Sequence, residues 1–405
     1  MSASTRAPLE RPGAPPRSLR WILLIVFLDM AGLGLLSPVI PEIVKGFRSD
    51  ALTIGWLALV YSAAQFLSNP LLGAISDRFG RKPVLLASFL GSAFTYVAFG
   101  WAPALWVLFL GRLVDGLTGA NIGTSQAYIA DITAPESRSR ALGLSGAALG
   151  LGFVAGPLVG WLMARAGWPP ASQVYLAAAL AVFSTILAWT SLPESLRPDQ
   201  RVRTPIRLSA LNPLRPLRTA ITRSALRALL LATFLANLAM AGVRSHFAFF
   251  AADHLGMDVS RVYGVMGFLG VMMVVAQGGL VRQSVQRWGD VGTLAVGLAL
   301  SVVGFFGLSL TTPGWPLYLV VAVLALGVGL ATPTMTSLIS QASAADEQGA
   351  MLGSAQAAAA LGQVAGPVWA GLMYDSVSPG SLFSTGAACV TAALLVVLVS
   401  RRRTA

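Results

Sequence analysis

The chain has 405 residues, 55% of them hydrophobic and only 11% charged, with a formal charge of +12. Soluble domains carry roughly a quarter charged residues, so this composition excludes a water-soluble globular protein and leaves the bilayer as the solvent. The cations lie in short segments between apolar runs, not in a stripe interleaved with aromatics, so no nucleic-acid partner is expected.

Residues 1–19 are rich in Pro, Arg and Ser and read as a disordered cytoplasmic tail. The first apolar run, near 20–44, is too long for a signal-peptide core, and no small-residue cleavage site follows it, so it is expected to be a retained helix. Further apolar runs fall near 52–76, 83–101, 104–131, 139–164 and 171–192, completing an N-terminal six-helix bundle over 20–192. An Arg- and Pro-rich cytoplasmic linker, 193–224, separates them from runs near 226–252, 260–285, 291–311, 315–341, 349–373 and 380–400. These form a second bundle over 225–400, followed by a basic cytoplasmic tail, 401–405. A spanning helix needs about 20 apolar residues. The predicted fold class is therefore an all-α membrane protein with twelve transmembrane helices in two six-helix bundles.

Lys and Arg set the orientation. With both termini inside, 22 of the 28 fall on the inner side, and only Lys45, Arg48, Arg165 and Arg261 fall outside. That asymmetry predicts cytoplasmic termini in an inner or plasma membrane. The halves also repeat: Val154-Ala-Gly-Pro-Leu-Val-Gly-Trp-Leu-Met163 returns as Val364-Ala-Gly-Pro-Val-Trp-Ala-Gly-Leu-Met373. Duplicated bundles that rock around a midplane site are the architecture of secondary transporters.

Few charges lie deep within the spans: Asp29, Arg112, Asp115 and, nearer the outer end, Arg244. Each central charge costs about 2.5–3.5 kcal/mol on insertion scales, so such groups face a bundle interior or a water-filled path. At 1.5 Å per residue, Asp29 lies about 13 Å from the inner surface, and Arg112 and Asp115 about 12 and 16 Å from the outer one. All three meet near the middle. Two acids around one cation leave one acid unpartnered, which suits a proton carrier; a purely structural salt bridge is the competing reading. Cys389, the single cysteine, reads as a small hydrophobe and supports neither a disulfide framework nor a metal site.

Between the second and third spans lies Gly73-Ala-Ile-Ser-Asp-Arg-Phe-Gly-Arg-Lys-Pro83, a loop too short to be a domain, with a turn glycine and a helix-starting proline. Gly73, Asp77, Arg78, Gly80, Arg81 and Lys82 match the cytoplasmic gate signature of the major facilitator superfamily, which the stretch resembles. A degenerate echo stands at Gln286-Arg-Trp-Gly289. Leu28-Asp-Met-Ala-Gly-Leu-Gly-Leu-Leu-Ser-Pro-Val-Ile-Pro41 resembles the first helix of twelve-helix drug/proton antiporters, in particular tetracycline-resistance efflux proteins. Gly111-Arg-Leu-Val-Asp-Gly-Leu-Thr-Gly-Ala-Asn121 is similar to their fourth-helix motif, whose Arg, here Arg112, is implicated in proton coupling. Gly146-Ala-Ala-Leu-Gly-Leu-Gly-Phe-Val-Ala-Gly-Pro-Leu-Val-Gly160 is similar to their fifth-helix antiporter signature. Independently of any family, Gly152, Gly156 and Gly160 flatten one helix face for close contact, and Pro157 bends the helix. One departure stands out: tetracycline exporters carry acids in their third and ninth helices, and the runs 83–101 and 291–311 have none.

Polar residues at helical spacing are candidates for cavity lining or for hydrogen-bonded glue between helices. These are Tyr61, Gln65 and Asn69 in the second span and Asn121, Thr124 and Tyr128 in the fourth. Asn237 and Arg244 share a face of the seventh, and Gln277 and Gln363 stand alone. Tyr61, Gln65, Asn121, Asn237, Arg244 and Gln277 are taken as the substrate-binding set. His246 reads as an outer-end polar anchor, and Phe247, Phe249 and Phe250 as helix packing. For the gate, Asp77 is expected to face the first turn of the eleventh span near Gly349, with Gly73 close to Gly353. Neither lysine, Lys45 or Lys82, stands in a phosphate-binding loop, which excludes an ATP-driven pump.

The expectation is thus a non-enzymatic, monomeric secondary transporter. It would need no cofactor and no metal, and its partners would be a small-molecule substrate, protons and lipid. Proton-driven efflux of hydrophobic or amphipathic compounds leads; a proton-coupled sugar or metabolite permease is the alternative.

Overall fold

Backbone polar groups in lipid must be satisfied within the segment that carries them, which α-helices achieve. The computed structural model describes residues 17–402 apart from 49, 120, 200, 203–216, 218–219, 222–223 and 344–346. Among the described residues there are helices and no strand. The tail up to residue 16, much of the 193–224 linker and residues 403–405 lie outside the described residues.

The first bundle comprises α1 (Arg17–Leu36), α2 (Ile40–Lys45), α3 (Ala51–Phe79), α4 (Arg81–Trp101), α5 (Leu105–Thr118), α6 (Asn121–Ile132), α7 (Pro135–Arg165) and α8 (Pro170–Ser191). The second comprises α9 (Ser224–Asp253), α10 (Val259–Val275), a π-helical turn (Ala276–Leu280), α11 (Val281–Ser309), α12 (Trp315–Gln341), α13 (Gln348–Ser376) and α14 (Ser381–Arg402). Helix therefore begins at Arg17 and ends at Arg402, slightly beyond the predicted bundle limits.

Among the described residues ten stretches are long and apolar enough to cross a membrane. One of them, Val259–Ser309, has 51 residues and would extend about 77 Å at 1.5 Å per residue, far beyond a ~30 Å core. It turns at Gly289, whose φ of 68° lies in the left-handed region, and so crosses twice. With the 29-residue α13 the crossings number twelve. Two spans predicted as continuous are broken. The first stops at Leu36 and resumes at Ile40, because Pro38 and Pro41 cannot donate into a helical ladder. The fourth stops at Thr118 and resumes at Asn121, with Gly119 between.

The predicted glycine face of α7 packs as expected. A Cβ at Gly152 would overlap the Phe27 carbonyl of α1, one at Gly156 the Ala31 carbonyl, and one at Gly160 the Tyr263 ring of α10. In the second bundle Gly362 and Gly366 of α13 meet the Phe234 and Leu238 carbonyls of α9 in the same way. The repeat seen in sequence is thus the same helix contact built twice. Because backbone cannot yield as a side chain does, Gly156→Val should cost about 1–3 kcal/mol. A lowered Tm of the purified protein would show it; an unchanged Tm would mean α1 and α7 separate freely.

Candidate functional site

Asp29 of α1 and Arg112 and Asp115 of α5 are all buried, at 9%, 7% and 5% exposure. Arg112 Nη1 lies 3.7 Å from Asp115 Oδ2, and Ser92 Oγ of α4 donates to Asp115 Oδ1 at 3.0 Å. The guanidinium carbon stands 5.4 Å from the Tyr61 ring and 5.1 Å from the Phe99 ring, within cation–π range. Asp29 belongs to a different contact: it accepts from the Asn121 amide. Among the described residues no cation lies within ion-pair distance of it. The cation has one acid, and Asp29 is the surplus one.

The break between α5 and α6 explains the polar residues of α3. A helix that stops in the membrane leaves carbonyls without their usual partners, and these need new donors. Gln65 Nε2 donates to the Gly119 carbonyl at 3.0 Å and Ser68 Oγ to the Gly116 carbonyl at 2.9 Å. Gln65 Nε2 also reaches Tyr61 Oη at 3.0 Å. Gln65 and Tyr61 therefore brace the charged cluster from α3. Asn69 is exposed, whereas Thr124 and Tyr128 are buried in the bundle, with Tyr128 Oη donating to the Pro193 carbonyl at 2.8 Å. Those last two do not line a cavity, although their spacing placed them on Asn121's face.

In the second bundle Asn237 donates to the Thr233 carbonyl one turn back, at 2.9 Å. It borders a recess that also holds Met240, Arg244, Ser301, Phe305 and Thr332. Gln277 is exposed in the π-helical turn, where a widened turn interrupts α10. Gln363 is half-buried in α13. A larger cleft, of about 630 Å³, opens beside Trp161, Arg165, Trp168 and Arg261 at the face away from the termini. It holds none of the predicted site residues.

The gate loop is tied down within its own bundle. Gly80, with φ 115°, makes the turn, and a Cβ there would collide with the Glu194 carboxylate. That carboxylate accepts from the backbone N–H groups of Arg81 and Lys82 at 2.8 and 3.2 Å, complementing the N-terminal dipole of α4. Arg81 bridges Asp77 at 2.5 Å and Asp131 of α6 at 3.1 Å, and Lys82 Nζ donates to the Trp189 carbonyl at 2.6 Å. Arg78 stacks over its neighbour Phe79. Among the described residues Asp77 has no partner on α13; the expected target near Gly349 lies partly outside them. Nothing lies within 4 Å of a Cβ built on Gly73 or on Gly353, so the two helices stand apart at the face that carries the termini.

They meet at the opposite face. There Gly55 of α3 abuts the Pro367 carbonyl of α13, and Gly371 abuts Leu52. Asp375 of α13 accepts from the backbone N–H groups of Ala51 and Leu52, at 3.2 and 2.8 Å, in the first turn of α3. His246 Nε2 of α9 lies 2.9 Å from the Ala51 carbonyl, and Tyr263 Oη of α10 donates to the Leu35 carbonyl at 2.5 Å. His246 is fully buried, and its bond to Ala51 makes this polar residue of the outer end a bridge between the bundles. Phe247, Phe249 and Phe250 are buried too, with Phe249 edge-on to Tyr374 and Phe250 to Phe383, as helix packing requires. The bundles form a V: shut at one face, parted at the face of the termini.

The profile of the Major Facilitator Superfamily matches residues 22–289 and 283–405. The chain belongs to this superfamily. It is 34% identical to the tetracycline resistance protein, class C, of Escherichia coli, over 94% of this chain and 96% of that one. It is 32% identical to the class G protein of Vibrio anguillarum, covering 88% and 90% respectively. In three dimensions it is similar to a human organic anion transporter, with a TM-score of 0.72 at 23% identity, over 96% of this chain and 100% of that one. Sequence reasoning missed Asp131, Glu194, Asp375 and the bridging role of His246. Charges near helix ends are unremarkable in sequence, and only folding shows what they touch.

Proposed function

We infer that this chain is a secondary active transporter that exports small amphipathic compounds in exchange for protons. The single observation that carries this reading is the surplus acid: Asp29 is buried in the membrane interior, bonded to an amide, and no cation among the described residues lies within ion-pair distance. An intramembrane acid of this kind is a group that can exist neutral or charged as the surroundings change. The relatives that carry tetracycline resistance in their names support an efflux role, and the permease alternative is not favoured. The missing acids in 83–101 and 291–311 argue for substrates broader than tetracycline.

In this reading the termini are cytoplasmic, which the distribution of Lys and Arg supports, and the V opens inward. Asp29 releases its proton to the cytoplasm in this conformation, and the Asn121 amide donates to the carboxylate left behind. Substrate enters between the bundles, the gate loop docks on α13, and the opposite face parts. Asp29 then collects a proton from outside, and the cycle reverses. The protein acts as a monomer and needs no cofactor, since the gradient supplies the energy.

The test uses inside-out vesicles holding an acid interior and a fluorescent pH probe. Adding tetracycline or rhodamine 6G should release protons from vesicles that contain the protein and not from vesicles that lack it. Gradient-driven accumulation of either compound by whole cells, in the uptake direction, would overturn efflux.

A further inference from the structure

Among the described residues, Arg244 is the one charge deep in the second bundle that the proton cycle leaves unused. It is exposed although it lies nine residues from the end of α9 at Asp253, about 14 Å along the helix. No acid among the described residues comes within ion-pair distance, and its guanidinium makes no hydrogen bond there. Arg112, the matching cation of the first bundle, has both an acid and aromatic rings about it.

The surroundings of Arg244 come from four helices. α9 gives Asn237 and Met240, α11 gives Ser301 and Phe305, α12 gives Thr332, and α14 gives the apolar Val390. Two hydroxyls, an amide and apolar carbon line the recess, and no carboxylate does. Its volume is about 50 Å³, room for a few waters or one small polar group and too little for a ring system. Two residues further along α9, His246 bridges to Ala51 at the closed face, so the recess lies directly beneath the closure.

We propose that Arg244 anchors an acidic group of the transported compound, so that the preferred substrates are amphipathic organic anions or zwitterions. The acid sits in the recess against the guanidinium, whose planar fork matches a carboxylate, and the apolar body lies in the cavity between the bundles. A lipophilic cation finds only like charge there. This inference rests on the exporter reading of the same cavity and narrows its substrate class.

The test measures binding to the purified full chain in a neutral detergent, by calorimetry. The probes share one ring system: 1-naphthylacetate, the neutral 1-naphthylacetamide and the cationic 1-naphthylethylammonium. Wild type should bind the acid about tenfold or more tighter than the amide, the gain typical of a charge-assisted pair, and bind the amine least. Arg244→Gln should erase the preference for the acid while leaving amide affinity unchanged, and Arg244→Lys should retain part of it. If Arg244→Gln does not purify as a single species, the ratio of acid to amide in Arg244→Lys decides alone.

Equal acid affinity in wild type and Arg244→Gln, preference for the amine, or no binding of any probe would each overturn the proposal. The exporter reading fails separately. If the acid binds through Arg244 yet no compound moves protons in inside-out vesicles, the site stands and antiport falls. If rhodamine 6G is exchanged for protons equally by wild type and Arg244→Gln, and the acid shows no preference, antiport stands and the anion site falls.

Discussion

Asp29→Asn should abolish proton-coupled export while leaving the protein folded and able to bind its substrate. Asn has the shape of Asp and keeps a side-chain oxygen to accept from the Asn121 amide, so the contact between α1 and α6 survives. What it cannot do is gain and lose a proton. Export driven by a pH gradient should fall to background, a loss on the order of a hundredfold, the usual scale for removing a proton-transferring side chain. Exchange of labelled for unlabelled substrate across the membrane needs no proton and should continue. The companion variant separates the two acids. Asp115→Asn leaves Arg112 buried opposite an amide, and breaking a buried pair from one side costs about 3–5 kcal/mol. That variant should lower Tm, and Asp29→Asn should not. Gradient-driven export by Asp29→Asn at the wild-type rate would reduce Asp29 to a structural hydrogen-bond acceptor and return the coupling role to Asp115.

The parts legible in sequence were those with a direct physical signature. Twelve spans follow from the length of apolar runs against the thickness of a bilayer, and burial of Asp29, Arg112 and Asp115 follows from what a charge costs in lipid. Glycines four residues apart predicted a close helix contact on one face of α7, because that spacing clears one face of a helix, and the structure makes α1 the partner. The partner of Asp29 was hidden. Asn121 lies 92 positions away, and nothing local to either residue pairs them. Hydropathy cannot register the breaks at 37–39 and beyond Thr118, since the side chains stay apolar while the backbone turns. The expected meeting of Gly73 with Gly353 is not seen, since those glycines stand apart here; in the proposed cycle they would meet when the inner face shuts, and apolar periodicity carries no signal of which conformation is held.

Asp375→Ala should open the closed face. Asp375 comes from α13, yet it caps the first turn of α3, so this hydrogen-bonded cap joins one bundle to the other. The first turn of α3 has a cap of its own in Asp50, which accepts from Thr53, and so α3 should stay helical without Asp375. The loss therefore falls on the bundle contact and not on the helix. Asp375 is solvent-exposed, which places the cap at the modest end of its range, about 1–2 kcal/mol. Set against a two-state equilibrium, that shifts the ratio of inward-open to outward-open protein by roughly 5- to 30-fold. Spin labels at Pro103→Cys and Thr312→Cys, both exposed on the closed face, would read the shift in a Cys389→Ser background. A longer-distance population should appear in Asp375→Ala and be scarce in its parent. Asp77→Asn should move the equilibrium the other way, because the proposed docking of its carboxylate on α13 forms only when the inner face is shut, whereas its bridge to Arg81 lies within one bundle. If Asp375→Ala leaves the label distances unchanged, the closure is carried instead by the packing of Gly55 on Pro367 and by His246. In that case His246→Ala, which removes the bond to the Ala51 carbonyl, becomes the variant that opens the face.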